Sequence, residues 1–189
     1  MKKVIIVNTS PRPKGNCKVV ADRLVSELGE ADVNLVTFRD KDINYCMGCD
    51  ACKHKDTVGC VQKDDMAALL PELDACDALV LLSPIYWDDM SAQAKTFVDR
   101  LYAFFNPAKE HMTVATKFGK KIAIITTNGG GDPAPYAAKM RKLADGGMKV
   151  AGFTESQVLA FGGVNEPGSV TKNADDMKQV DDLAKWLIA

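Results

Sequence analysis

Short apolar runs alternate with helical stretches five times along this chain, and nothing else in it limits the fold so strongly. Val4-Ile5-Ile6-Val7 is the first run. It is too short for a helix and mostly β-branched, so it reads as a strand covered on both faces, as at the centre of a parallel sheet. Further strands are read at 33–38, at Ala78-Leu79-Val80-Leu81-Leu82, at 121–127 and at 153–161. Glu155, Ser156 and Gln157 interrupt the last of these, which an edge position explains. Helices are read at 18–29, from Asp64-Asp65 onward, at 91–105, at 135–146 and at 171–188. Pro71 is expected to kink or divide the second helix. Such alternation implies a parallel sheet with right-handed crossovers and helices on both faces. No repeat, linker or low-complexity tract divides residues 1–189, so one α/β domain is expected.

Ligands of such sheets bind beyond the carboxyl ends of the strands. Three loops lie there: 8–17, 83–90 and 127–133. The first holds Ser10, Arg12, Gly15, Asn16 and Cys17 and empties into a helix start. Free backbone N–H groups, the positive end of a helix dipole and side-chain donors suit a phosphate, although an ordinary strand-to-helix turn uses the same residue types. Neither the Gly-x-x-x-x-Gly-Lys-Ser/Thr loop nor Gly-x-Gly-x-x-Gly is present. The second loop carries Tyr86 and Trp87 behind Pro84 and Ile85. The third, Asn128-Gly129-Gly130-Gly131, leaves backbone N–H groups uncovered. Together they suit a phosphorylated ligand with a large flat ring.

Net charge is −1, with acids and bases mixed along the chain. Without a basic stripe, neither a nucleic acid nor an anionic membrane is an expected partner. No apolar segment approaches the roughly 18 residues of a membrane span, and the first run is too short for a signal-peptide core. A cytoplasmic protein with reduced thiols is therefore expected. Its six cysteines are not a disulfide framework, because four of them crowd into one loop.

Ser10-Pro11-Arg12-x-x-Gly15-Asn16 resembles the phosphate loop of the NAD(P)H-dependent FMN reductase family, part of the flavodoxin-like fold. Ser83-Pro84-Ile85-Tyr86-Trp87, followed by Lys95 and Asp99-Arg100, is similar to that family's flavin-ring loop and its following helix; Asn128-Gly129-Gly130 is similar to its third loop. The resemblance implies a three-layer fold with a five-stranded parallel sheet in the order 2-1-3-4-5, and bound FMN. Ser10, Arg12, Gly15, Asn16 and the Cys17 backbone would hold the phosphate. Pro84, Ile85, Tyr86 and Trp87 would border the ring, and Asn128 to Gly131 would face its pyrimidine side. Position 17 is commonly Thr in the family and position 88 commonly Gly; here they are Cys17 and Asp88.

Cys46-x-x-Cys49-x-x-Cys52, with Cys60 eight residues on, has dense metal-ligand spacing. Thiolates so spaced suit an iron–sulfur cluster or a four-thiolate zinc site. The run resembles the compact motif of the iron–sulfur flavoproteins, a branch of the same family whose cluster is [4Fe-4S]; other relatives share the cysteines and bind flavin alone. Lys95, Asp99 and Arg100 read as a solvated helix face or a subunit contact, Lys95 and Asp99 as a plain i,i+4 pair. His54 and His111 read as surface residues and Cys76 as a small core residue. Cys17, at a helix start, is expected to have a lowered thiol pKa.

The resemblance implies an FMN-dependent oxidoreductase taking electrons from NADH or NADPH to a quinone, an azo or nitro compound, free flavin or a protein. The cofactor carries that chemistry, so no catalytic side chain is assigned. The alternative is an iron–sulfur electron carrier served by a ferredoxin. The family further implies a homodimer or homotetramer.

Overall fold

The computed structural model describes residues 1–189. Its strands are β1 (Lys3–Asn8), β2 (Asp32–Thr37), β3 (Ala78–Tyr86), β4 (Asp89–Met90), β5 (Lys120–Thr127) and β6 (Phe153–Phe161). The helices are α1 (Asn16–Glu27), α2 (Asp65–Ala75), α3 (Ala92–Arg100), α4 (Ala134–Asp145) and α5 (Ala174–Ile188). Five parallel strands run in the order β2-β1-β3-β5-β6, and β4 folds back antiparallel on β3. This is the flavodoxin-like order expected from the sequence. No helix is long and apolar enough to cross a membrane.

Alternation along each central strand divides the core in two. Ile5, Val7, Leu79, Leu81, Ile122 and Ile124 point to one face, where they meet Met66, Leu69, Leu70 and Leu73 of α2, Phe97 of α3 and Met140 of α4. Val4, Ile6, Val80, Leu82, Ala123 and Ile125 point to the other, against Val20, Ala21 and Leu24 of α1 and Val180, Leu183 and Leu187 of α5. A three-layer sandwich follows, with β1, β3 and β5 buried on both sides. β6 lies at an edge, as its polar interruption implies.

Two expectations are corrected. Helix α2 runs through Pro71 in one piece, so of the two outcomes expected there division does not occur. Pro71 is exposed, and the buried leucines on either side hold both turns against the sheet. The stretch 83–90 is not a loop. β3 continues to Tyr86, with Pro84 opposite Thr127 of β5, and returns through a two-residue turn at Trp87-Asp88.

Candidate functional site

The carboxyl ends of β1, β3, β5 and β6 meet around a cavity of about 230 Å³. Its walls include Ser10, Arg12, Gly15, Asn16 and Cys17 from the first loop, Pro84, Ile85 and Tyr86 from β3, and Thr127 and Gly129 at the end of β5. The three predicted loops therefore converge on one site. The floor is fixed by hydroxyls: Thr9 Oγ1 donates to the Leu82 carbonyl at 2.6 Å, and Ser83 Oγ accepts from Ser91 N–H at 3.0 Å.

Helix α1 begins at this cavity, with Gly15 as its N-cap in extended conformation and no side chain capping it. Its first N–H groups thus point, without helical acceptors, toward the cavity. Ser10 Oγ accepts from Arg12 N–H at 3.2 Å, curling the loop around the same point. A Cβ on Gly15 would sit 3.0 Å from Arg12 Cβ, so a larger residue there would have to push Arg12 aside. Arg12 itself is exposed and free to reach an anion. An uncapped helix start with an exposed cation beside it is a turn of the kind that accepts an anion.

Two residues of the cradle depart from the sequence reading. The Asn16 side chain is turned away from the cavity's centre: Nδ2 donates to the carbonyls of Val164 and Glu166 at 2.8 and 3.0 Å, and Oδ1 accepts from Val170 N–H at 3.2 Å. Its backbone, not its amide, remains for a phosphate. Cys17 is 1 % exposed and shares a hydrogen bond with Thr127 Oγ1 at 3.3 Å. Burial pushes its thiol up to about 11, the Thr127 contact offsetting only part of that. The lowered pKa expected from the helix start does not hold, because burial outweighs the dipole.

Sequence reading missed one wall. Val164, Asn165 and Pro167, beyond β6, complete the cavity. Asn165 Nδ2 donates to the Gly129 carbonyl at 3.0 Å, and a Cβ on Gly129 would stand 1.9 Å from Asn165 Oδ1. The signal was there in Gly162-Gly163 at the end of a fifth strand. Of the other predicted residues, Asn128 is buried beneath the loop with Oδ1 unpartnered, and Gly130 and Gly131 lie outside the cavity. Trp87 is fully exposed at the hairpin tip, also outside it.

A cavity of this size takes a phosphate with a short polyol chain. It is smaller than the roughly 300–1,000 Å³ of a complete small-molecule pocket, so a flat ring would lie at its mouth, where Tyr86 is half-exposed. The free N–H groups and Arg12 fit FMN in kind.

The four crowded cysteines form a second constellation. Cys46, Cys49, Cys52 and Cys60 all line one narrow slot of about 20 Å³. No three of them converge closely enough to ligate a single ion. A tetrahedral zinc site needs sulfurs only about 3.8 Å apart, given Zn–S distances near 2.3 Å. The exposed Cys49 lies between Gly48 and Asp50, both in left-handed conformation.

The cysteine loop is clamped at its middle and at its two ends. Lys53 Nζ, in the middle, donates to the carbonyls of Tyr102 and Phe105 at 2.7 and 2.5 Å and lies 3.3 Å above the Tyr102 ring. The ends are tied to each other: Asp64 caps α2 through Ala67 N–H and accepts Asn44 N–H at 3.1 Å. Arg100 grips Asp64 by a two-pronged pair at 2.5 and 2.9 Å and donates to the Asn44 carbonyl at 2.7 Å. Burial works against ionisation of Asp64, yet Arg100 and the two N–H donors prevail and bring its pKa down to about 2. Arg100 is thus a buried anchor and not the solvated residue its neighbours implied; Lys95 and Asp99 do form the expected exposed pair.

The chain matches the NADPH-dependent FMN reductase family over residues 2–161. It is 35% identical over 186 residues to an iron–sulfur flavoprotein of Archaeoglobus fulgidus, across 97% of this chain and 77% of that one. To an iron–sulfur flavoprotein of Methanocaldococcus jannaschii it is 30% identical over 131 residues, 68% of this chain and 65% of that one. An NAD(P)H:quinone oxidoreductase from Methanothermobacter marburgensis shares the fold at a TM-score of 0.71 and 14% identity, across 98% and 95% of the two chains. Sheet order, cradle and family match agree: the chain belongs to the NADPH-dependent FMN reductase family of oxidoreductases.

Proposed function

We propose that this chain, acting as one unit over residues 1–189, takes electrons from NADH or NADPH and delivers them to a quinone, an azo or nitro compound, free flavin or a protein. The observation that carries the reading is the cavity shared by the α1 N-terminus, Arg12 and the end of β3. Ser10, Arg12 and the backbone N–H groups of Asn16 and Cys17 would hold the phosphate of FMN. Pro84, Ile85 and Tyr86 would border its ring, and the 128–131 loop, braced by Asn165, would face the polar edge. When bound, FMN supplies the electron relay between nicotinamide and acceptor. The protein's share is to fix that cofactor and to leave one side of its ring open to both partners in turn.

Flavin-loaded protein should oxidise NADH or NADPH at steady state when a quinone is added. Tight FMN binding with no turnover on quinone, nitro or azo acceptors would sink the reductase reading.

A second reading is favoured by the four cysteines around one slot. They would hold an iron–sulfur cluster, making the chain an electron carrier as well as a flavoprotein. Anaerobically isolated protein would then carry about four iron and four sulfide per chain. Protein that is yellow from flavin yet free of iron after anaerobic reconstitution excludes it.

A further inference from the structure

The bulkiest fully buried side chain in this protein is a charged one, Arg100. A guanidinium is kept from water only where its donors are used. Its two terminal nitrogens are used, on Asp64 and on the Asn44 carbonyl. Its Nε–H is buried and has no acceptor. Arg100 forms part of the wall of the slot lined by Cys46, Cys49, Cys52 and Cys60. Cys60 lines that slot too and, after Asp64, is a group that favours the charged guanidinium. A fixed, dry, unspent donor therefore belongs to a side chain that lines the same slot as the four thiols.

We propose that Arg100 is a positioning residue for the group those cysteines bind, its Nε–H donating to the Cys60 sulfur once that sulfur is a ligand. The inference rests on the iron–sulfur reading above. Asp64 balances the charge of Arg100, so what reaches Cys60 is a directed hydrogen bond more than bulk positive charge. Hydrogen bonds to ligand sulfurs favour the more electron-rich state of such a group and so raise its reduction potential. The same bond orients Cys60, the ligand separated from the other three by the longest gap.

The test compares anaerobically reconstituted wild type, Arg100→Lys and the double variant Arg100→Met with Asp64→Leu. The double variant removes the buried pair without leaving either charge alone. Iron, sulfide and flavin are counted, the midpoint potential is taken by dye-coupled titration, and iron loss to a chelator is timed. Both variants should keep wild-type flavin content, shift the potential downward and lose iron several-fold faster. Unchanged potential and unchanged iron loss in Arg100→Lys would overturn the proposal. Should the double variant not fold, wild type labelled with nitrogen-15 at arginine Nε decides independently: pulsed electron paramagnetic resonance should detect that nitrogen at the reduced group, and its absence overturns the assignment. If wild type takes up no iron at all, the iron–sulfur reading fails and takes this inference with it, an outcome distinct from an iron-loaded protein indifferent to Arg100.

Discussion

The phenol of Tyr136 donates to the Asp88 carboxylate at 2.9 Å, tying α4 to the tip of the β3–β4 hairpin. Lys139, one turn further on, reaches Asp89 at 2.7 Å and the Asp88 carbonyl at 3.1 Å. The turn residues Trp87 and Asp88 have φ of 48° and 60°, values a glycine adopts freely and a tryptophan does not. The latch therefore holds a turn that its own residues resist. Tyr136→Phe should weaken FMN binding several-fold in a fluorescence titration while the thermal midpoint stays put. Unaltered affinity would detach this hairpin from the ring site.

Arg12 is the one cation at the cradle. A charge-assisted phosphate contact is worth roughly 1.5–3 kcal/mol, so Arg12→Ala should raise the FMN dissociation constant roughly 10- to 150-fold. Riboflavin, which lacks the phosphate, should bind both forms alike. If the variant holds FMN as tightly as wild type, the phosphate lies elsewhere.

Asn16 is a structural tie between α1 and the segment after β6. Asn16→Ala strands the Val164 and Glu166 carbonyls and Val170 N–H, and should cost about 1–3 kcal/mol of stability. Denaturant unfolding of flavin-free protein measures this directly. Full stability with loss of FMN alone would return the Asn16 amide to the phosphate.

The Arg100–Asp64 pair should govern acid tolerance. Asp64 ionises at about 2 in the folded chain and near 3.8 when unfolded. Its contribution is complete above pH 3.8 and disappears as the pH falls toward 2. Asp64→Asn should be less stable at neutral pH and lose less on acidification across that window. Parallel stability curves for the two proteins would contradict the pairing.

Thiol reactivity should divide the six cysteines. Burial raises Cys17 and Cys76 to about 11 each, so at pH 8 neither presents appreciable thiolate, the reactive form. Iodoacetamide on metal-free folded protein should label only the four loop cysteines, as peptide mass mapping would read. Unfolded thiols ionise near 9.0, so these two sites also stabilise the fold below that pH and stop doing so as it rises toward 11. Labelling of Cys17 at native pH would mean that the cradle opens.

The sheet was legible because its strands are covered on both faces and so read as unbroken apolar runs. That Ser10, Arg12 and Gly15 share one cavity was legible because they lie within a few residues of each other in one loop. What escaped was long-range. Pro84 looked like a loop signal, yet it extends a strand whose pairing partner lies at Thr127. Asn16 looked like a phosphate ligand until a segment some 150 positions away claimed its amide. Arg100 sat beside an exposed Lys95–Asp99 pair, and no local pattern distinguishes an arginine that turns inward to Asp64 from one that points to water.

The three hydrogen bonds of Asn16 also set a timetable for synthesis. They join the turn after the first strand to Val164, Glu166 and Val170, so the pocket's far wall cannot dock until residues 164–170 have left the ribosome. A nascent chain halted before residue 164 would carry the first loop and α1 without the segment that ties that helix start down.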